Sequence, residues 1–202
     1  MTSLRHNGSV ELTENPRDHY LDAARACILD VGWRRTTLTE VARRAGVSRM
    51  TIYRTWGDMQ HLLGDLMTRE WAGVVAATVA HESTDDPVRE RLIGDLVATV
   101  RNLRDNELFG RILELDPELL LPYLLDRRGR SQDAILGLVQ AQVAAGQADG
   151  SIRAGNPVVI ARGLLLAAQG FVLSSSTMLG DGVDRHDLDA ELATLMTRSL
   201  LP

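Results

Sequence analysis

Between Thr36 and Trp56 the chain gathers threonines, arginines, a serine, a tyrosine and a tryptophan around a short apolar pattern. From Arg34 to Arg54 six arginines, Arg34, Arg35, Arg43, Arg44, Arg49 and Arg54, stand against the single acid Glu40, although the whole chain has a formal net charge of −5. A basic patch on an acidic protein is the expected footprint of a surface that meets phosphates. Ser48 is a good N-cap for a helix over the residues that follow, and that helix has Ile52 as its one apolar anchor. Arg49, Met50, Thr51, Tyr53 and Arg54 then fall on or near the outward side. Such a helix is built to be read from outside, by hydrogen bonds rather than by covalent chemistry.

The elements that must hold it are two short helices and a tight turn. Thr37 and Glu40 have the spacing of a capping box, in which the Thr37 hydroxyl accepts from the backbone three residues on and the Glu40 carboxylate reaches back. Leu38, Val41, Ala42 and Ala45 form the inner face. Gly46 suits the left-handed residue that reverses the chain, and Val47 plugs the corner. Ala42 is small where two helices must cross closely. An Ala-Gly-Val corner also suits an ordinary helical hairpin; the local charge favours the helix-turn-helix.

Other constellations offer less. Asp181-Gly-Val-Asp-Arg-His-Asp-Leu-Asp is rich in oxygen ligands, but Val183 and Arg185 occupy places where a calcium loop needs acids, so it reads as a solvated loop and an acidic helix start. Glu114, Asp116 and Glu118 straddle a helix boundary beside Pro117 with no histidine near in sequence, which points to capping rather than acid–base work. The five histidines have no metal-ligand spacing, and neither a phosphate loop nor a nucleophile motif is present. No catalytic residue, metal or cofactor is expected. Cys27, alone and on the inner face of the first helix, reads as a core thiol. There is no lysine, so every one of the 22 basic residues is an arginine with a planar guanidinium fork.

With 45% apolar residues the chain can build a real core. Residues 1–16, Arg5 among them, are polar and read as a flexible arm. A helix is expected from Arg17 to Val31, with Leu21, Ala24, Cys27 and Ile28 inward, Gly32 at its end and Trp33 as lid of a three-helix core. A long helix runs from Met59 to about His81, its second half leaning on something larger through Trp71, Val74, Val75 and Val79. Helices follow over 87–104, 106–115, 116–127 with a kink or break at Pro122, 129–145, 157–176 and 187–200, and no strand pattern appears. Residues 158–173 are apolar almost all round, with small residues Ala161, Gly163, Ala167, Ala168 and Gly170, so one subunit alone leaves part of them uncovered; a central core helix in a monomer is the other reading. No signal-peptide stretch and no window of about 18 apolar residues is found, so a cytoplasmic protein with no membrane partner is expected.

The stretch from Arg17 to Leu63 resembles the TetR-type bacterial one-component transcription regulators. The likeness is carried by Leu-Asp-Ala-Ala (21–24), Gly-Trp (32–33), Thr-Thr (36–37), Val-Ala-Arg-Arg-Ala-Gly-Val-Ser (41–48), Thr-Ile-Tyr-Arg (51–54) and Leu-Leu (62–63). The chain departs from the usual pattern at Met50, where Gly is common, at Trp56, where Phe is usual, and at Met59, where a Lys commonly contacts phosphate. The resemblance implies an all-α fold of about nine helices: an N-terminal three-helix helix-turn-helix domain over 17–63 and a larger C-terminal helical ligand-binding and dimerisation domain over 64–202.

It also implies roles. Arg49 is the candidate for a guanine edge and Met50 or the Thr51 methyl for thymine, with Thr39 and Arg54 as secondary base contacts. Thr37, Ser48, Tyr53, Thr55 and the Trp56 indole are candidates for phosphates. The expected partners are a double-stranded DNA operator of two half-sites, a second copy of the chain and an unidentified small-molecule effector that releases the DNA. The effector would lie among Trp71, Leu96, Val100, Phe109, Leu119 and Tyr123, with Gln140 and Gln169 to orient it, a composition that suits a packed core equally. The dimer would form through the last two helices, at Leu165, Ala168, Val172, Leu192 and Leu195. A ligand-independent architectural DNA binder is the alternative function, with a helical enzyme or interaction module less favoured.

Overall fold

The computed structural model describes residues 15–79 and 86–202, the side chains of 76–79 excepted. The arm with Arg5, and the end of the long helix at His81 with the break at Ser83, lie outside the described residues. Among the described residues the elements are helical, apart from one isolated bridge between Gly180 and Val183. In order they are α1 (Pro16–Val31), α2 (Leu38–Arg44), α3 (Arg49–Thr55), α4 (Met59–Val79), α5 (Val88–Asp105), α6 (Glu107–Leu115), α7 (Leu121–Leu125), α8 (Arg130–Ala148), α9 (Pro157–Ser174) and α10 (Arg185–Leu200), with single 3-10 turns at Pro117–Leu119 and Ser175–Met178.

Side-chain caps set most of these boundaries, because the first N–H groups of a helix have no partner within it. Asn15 accepts from Arg17 N at 3.1 Å, Asn106 from Phe109 N at 3.0 Å and Asn156 from Val158 N at 2.9 Å. Asp184 and Asp187 cap each other's backbone N–H at 2.9 and 3.0 Å, which starts α10 two residues before the expected Asp187. The expected helix over 116–127 is interrupted at Leu120 rather than at Pro122: a Pro117–Leu119 turn precedes the one-turn α7, in whose first turn Pro122 sits. The capping box at α2 is only half made. Thr37 Oγ1 accepts from Glu40 N at 3.2 Å, but the Glu40 carboxylate is taken by Arg43 at 2.6 and 2.9 Å instead of returning to Thr37.

Two apolar cores result. The first is built on Leu21, Ala24, Cys27, Ile28, Val41, Ile52 and Trp56, runs on along α4 to Leu66, and takes in Leu108 and Ile112 of α6. Trp33 packs half-buried against it, as expected of a lid. The second joins α5, α8, α9 and α10 through Leu92, Leu96, Val143, Leu164, Leu192 and Met196. Between α5 and α10 the buried Asp189 accepts from Arg101 at 3.2 Å and from Arg104.

The helical stretch Pro157–Met178 has a mean hydropathy of 1.7 and is long and apolar enough to cross a membrane, contrary to the expectation that no window would reach that mark. Arg162 and Gln169 are diluted by the Val, Leu, Ala and Gly around them. Only 28% of its window is buried, so one side of α9 lies on the second core and the other is uncovered.

Candidate nucleic-acid interface and internal cavity

The reading helix α3 is set by its turn. Gly46 takes φ +66°, a conformation that costs a residue without Cβ little, and Val47 N donates to Ala42 O at 3.0 Å while Ala42 itself is buried. Ser48 Oγ accepts from Thr51 N at 3.1 Å and lies 2.9 Å from Thr51 Oγ1. Ile52 is the only residue of α3 that is buried. Arg49, Met50, Tyr53 and Arg54 are exposed, Met50 at 65%, and the Arg49 guanidinium sits 6.0 Å from the centre of the Tyr53 ring.

Geometry divides the six arginines. Arg34 bonds Glu118 and lies 3.4 Å from Asp116, Arg44 pairs with Asp30 at 2.6 Å, Arg43 with Glu40, and Arg35 Nε donates to Val31 O at 2.8 Å. The Arg43 guanidinium holds the Glu40 carboxyl below its ordinary range. Among the described residues, Arg49 and Arg54 are the two of the six with no acid or carbonyl partner. Only Glu40 is acidic within the stretch itself, because Asp30, Asp116 and Glu118 lie outside it and reach it only through the fold.

Of the other residues expected at DNA, Thr37, Thr39 and Ser48 are exposed and Thr51 is half-buried. Two are corrected. The Thr55 hydroxyl donates to Thr51 O at 2.9 Å, so its proton is spent within the helix. Trp56 is 2% exposed, and its indole Nε1–H donates to Asp65 at 2.7 Å, so the ring belongs to the core and its donor is taken.

Asp65 receives two further donors, Arg17 and, at 2.6 Å, Arg130. Burial opposes its charge, but the bonds from Trp56, Arg17 and Arg130 outweigh burial and bring the carboxyl down to about 2. No sequence signal marks this cluster, whose members lie up to 113 positions apart.

A cavity of about 1510 Å³ lies under α4, walled by α5 to α9. Trp71, Leu96, Val100, Phe109, Leu119, Tyr123 and Gln169 all line it, the rings of Trp71 and Phe109 meeting edge to face with centroids 5.4 Å apart. Gln140 does not. On α8 the wall is made by Ser131, Gln132, Ile135, Leu136, Leu138, Val139, Ala141 and Gln142, and Gln140 falls outside that arc. Gln142, which the sequence reading missed, supplies the amide instead and donates to Asp95 at 3.4 Å.

The expected dimer residues are also partly corrected. Leu192 is 0% exposed and Ala168 is buried, both within the subunit's own second core, and Leu165 and Val172 pack against that core. Leu195, at 49%, is outward as expected. The uncovered side of α9 is Val159, Gly163, Leu166, Ala167 and Gly170, with Leu166 at 69%. These positions follow a three-and-four spacing, and the small residues singled out in the sequence are part of that stripe.

Comparison with known proteins agrees with this geometry. The model of a family described as bacterial regulatory proteins, tetR family, matches residues 21–66. An uncharacterised HTH-type transcriptional regulator of Mycobacterium bovis is 35% identical over 180 residues, 89% of this chain and 89% of that protein. Among solved structures, a Rhodococcus sp. RHA1 protein of unknown function superposes with a TM-score of 0.70 at 20% identity, over 96% of this chain and 100% of that one. A transcriptional regulator from Saccharomonospora viridis, solved in complex with choline, gives 0.66 at 19% identity over 92% and 97%. The structural likenesses support the fold, and the relative matched along most of its length, carrying the same helix-turn-helix, shows that this chain belongs to the TetR family of bacterial transcription regulators.

Proposed function

We propose that the chain binds a two-half-site DNA operator as a homodimer and leaves it when a small molecule fills the cavity. The observation that carries the DNA reading is α3. It is a capped helix held by Ile52 alone, and its exposed Arg49 and Arg54 are the arginines of the region that no acid among the described residues satisfies. Arg49, Met50 and Thr51 are assigned to base edges, with Thr39 and Arg54 in support, and Thr37, Ser48 and Tyr53 to phosphates. The uncovered apolar stripe of α9, with Leu195 of α10, is assigned to a second copy rather than to a membrane. A two-fold dimer presents two reading heads, which serve successive major grooves when they sit about 34–36 Å apart.

The effector reading is supported by the size and lining of the cavity, and by the choline complex of the S. viridis structural neighbour. Its apolar walls suit a mostly apolar body oriented by Gln142, Gln169 and Asp95. A ligand shifts DNA affinity only as far as its affinities for the two states differ. The test is to select DNA from a random pool with the purified chain, footprint the product, and titrate small molecules against the bound complex. Selection of no sequence above background would refute the DNA reading, and selection of a single unrepeated half-site would refute the dimer.

A further inference from the structure

Three donors from three elements converge on Asp65, on the second turn of α4. Trp56 Nε1 comes from the end of the reading helix, Arg17 from the first turn of α1, and Arg130 Nη2 from the first residue of α8. The Arg17 guanidinium also lies 5.3 Å over the Trp56 ring. Since Trp56 is the C-cap of α3 and fully inside the first core, whatever moves Asp65 moves the end of the reading helix.

Arg130 continues the cavity wall, and Asp65, Trp56 and Arg17 line the cavity beside it. Residues 122–129, immediately before it, all line the cavity. That wall is locked to the first turn of α8, because Gln132 Oε1 accepts from Gly129 N at 2.7 Å and Gln132 Nε2 donates to Tyr123 O at 3.3 Å. Wall and turn therefore move together, and Arg130 is their ion pair to the reading head. Of the three bonds to Asp65, the one to Trp56 is buried, whereas the Arg17 and Arg130 side chains are 49% and 71% exposed. An exposed pair exchanges readily for water, so the Arg130 arm, the most exposed, is the most labile.

We infer that Asp65 is a positioning residue for the reading helix and that the Asp65–Arg130 pair transmits the state of the cavity to it. Bulk that displaces residues 122–130 outward must either drag Asp65, and Trp56 with it, or break the 2.6 Å bond. The inference rests on the reading that cavity occupancy governs DNA affinity, and the experiment separates the two.

Thr99 lines the cavity from α5, and the only native thiol, Cys27, is buried. The variant Thr99→Cys is labelled with N-benzylmaleimide, mass spectrometry confirming one adduct, and affinity for DNA selected by the wild-type chain is measured before and after labelling. This is done with Arg130 intact, with Arg130→Gln and with Arg130→Lys. With Arg130 intact, labelling is expected to weaken DNA binding about tenfold, within the usual span of coupling between sites. With Arg130→Gln the loss falls to about twofold or less, and Arg130→Lys, which keeps the charge, restores most of it. An equal loss in all three backgrounds overturns the role of the pair while leaving cavity control standing. No loss with Arg130 intact overturns cavity control, and the inference with it.

Discussion

Replacing Asp65 with Asn keeps an oxygen for the Trp56 indole and removes the charge that holds Arg17 and Arg130. In the folded chain the Asp65 carboxyl is lowered from an ordinary 3.8 to about 2, burial opposing the charge and the Trp56, Arg17 and Arg130 bonds outweighing it. A tenfold change in proton affinity corresponds to about 1.4 kcal/mol, so the ionised form contributes about 2 kcal/mol of stability at neutral pH. With its side chain 16% exposed, the carboxylate is shielded from most solvent screening. The folded value lies below the unfolded one, so the contribution is fully present above 3.8 and is lost as pH falls from there towards 2. Urea unfolding followed by tryptophan fluorescence should therefore place Asp65→Asn about 2 kcal/mol below the wild type at pH 7. The gap should hold as the solution is acidified to about pH 4 and narrow below it. A gap under about 0.5 kcal/mol at neutral pH, or one that does not shrink in acid, would show that the three donors do not stabilise the charge as their geometry requires.

Other outcomes follow from single contacts. Arg49→Ala should relax discrimination at one base pair of each half-site by about 1–3 kcal/mol, measured by competition with single-base operator variants; an unchanged preference at every position refutes the assignment. Leu166→Arg should give a folded monomer in light scattering that loses most operator affinity, because the second reading head is no longer tethered. Leu192→Arg should instead unfold the chain, and a folded Leu192→Arg monomer would reverse the reading of the two faces. Gly146→Ala places a Cβ 2.5 Å from the side chain of the buried Ile152, between α8 and the turn that follows it, and should cost about 1–3 kcal/mol in thermal or urea unfolding. A neutral result would mean that Ile152 repacks freely.

How far the molecule could be read in its residues depended on whether a signal was local. Caps, turns and periodicity are local, so Ser48, Gly46 and Asn156 were legible, and so was the fold they delimit. The cavity wall was legible because Trp71, Phe109 and Tyr123 are large apolar residues on helices that must face one another. What failed was rotation about a helix axis and pairing across the chain. Leu165 and Ala168 lie one or two residues from the outward Leu166, and in a helix apolar on every side nothing in the sequence says which third faces the core. Gln140 and Gln142 differ in the same way. Trp56 and Arg34 failed for the second reason, since their partners Asp65, Asp116 and Glu118 are identified only once α4 and α6 are folded against the reading head.

The position of α6 determines how a movement in the cavity wall would act on the DNA side. Leu108 belongs to the first core and its neighbour Phe109 faces the cavity, so one helix shares its two sides between them. The same element grips the C-terminal end of α1, Arg111 Nε donating to Leu29 O at 3.1 Å and Trp33 N donating to the buried Asp116 at 2.8 Å. The N-terminal end of α1 is held to α4, by Arg17 on Asp65 and by Arg69, which donates to Asp18 O at 2.9 Å and pairs with Asp22 at 2.9 Å, and the first turn of α8 reaches it only through Asp65. A helix of 16 residues is about 24 Å long. If Asp65 followed a displacement of α8 by about 1 Å, with α6 fixed, α1 would turn by about 2° around its C-terminal end, and the first core would carry α3 with it. Tension at Asp65 would then rotate the reading head, whereas tension at Asp116 would shift its pivot. The exposed Arg130 and the buried Asp116 suit these two duties, one bond made to yield and one to stay.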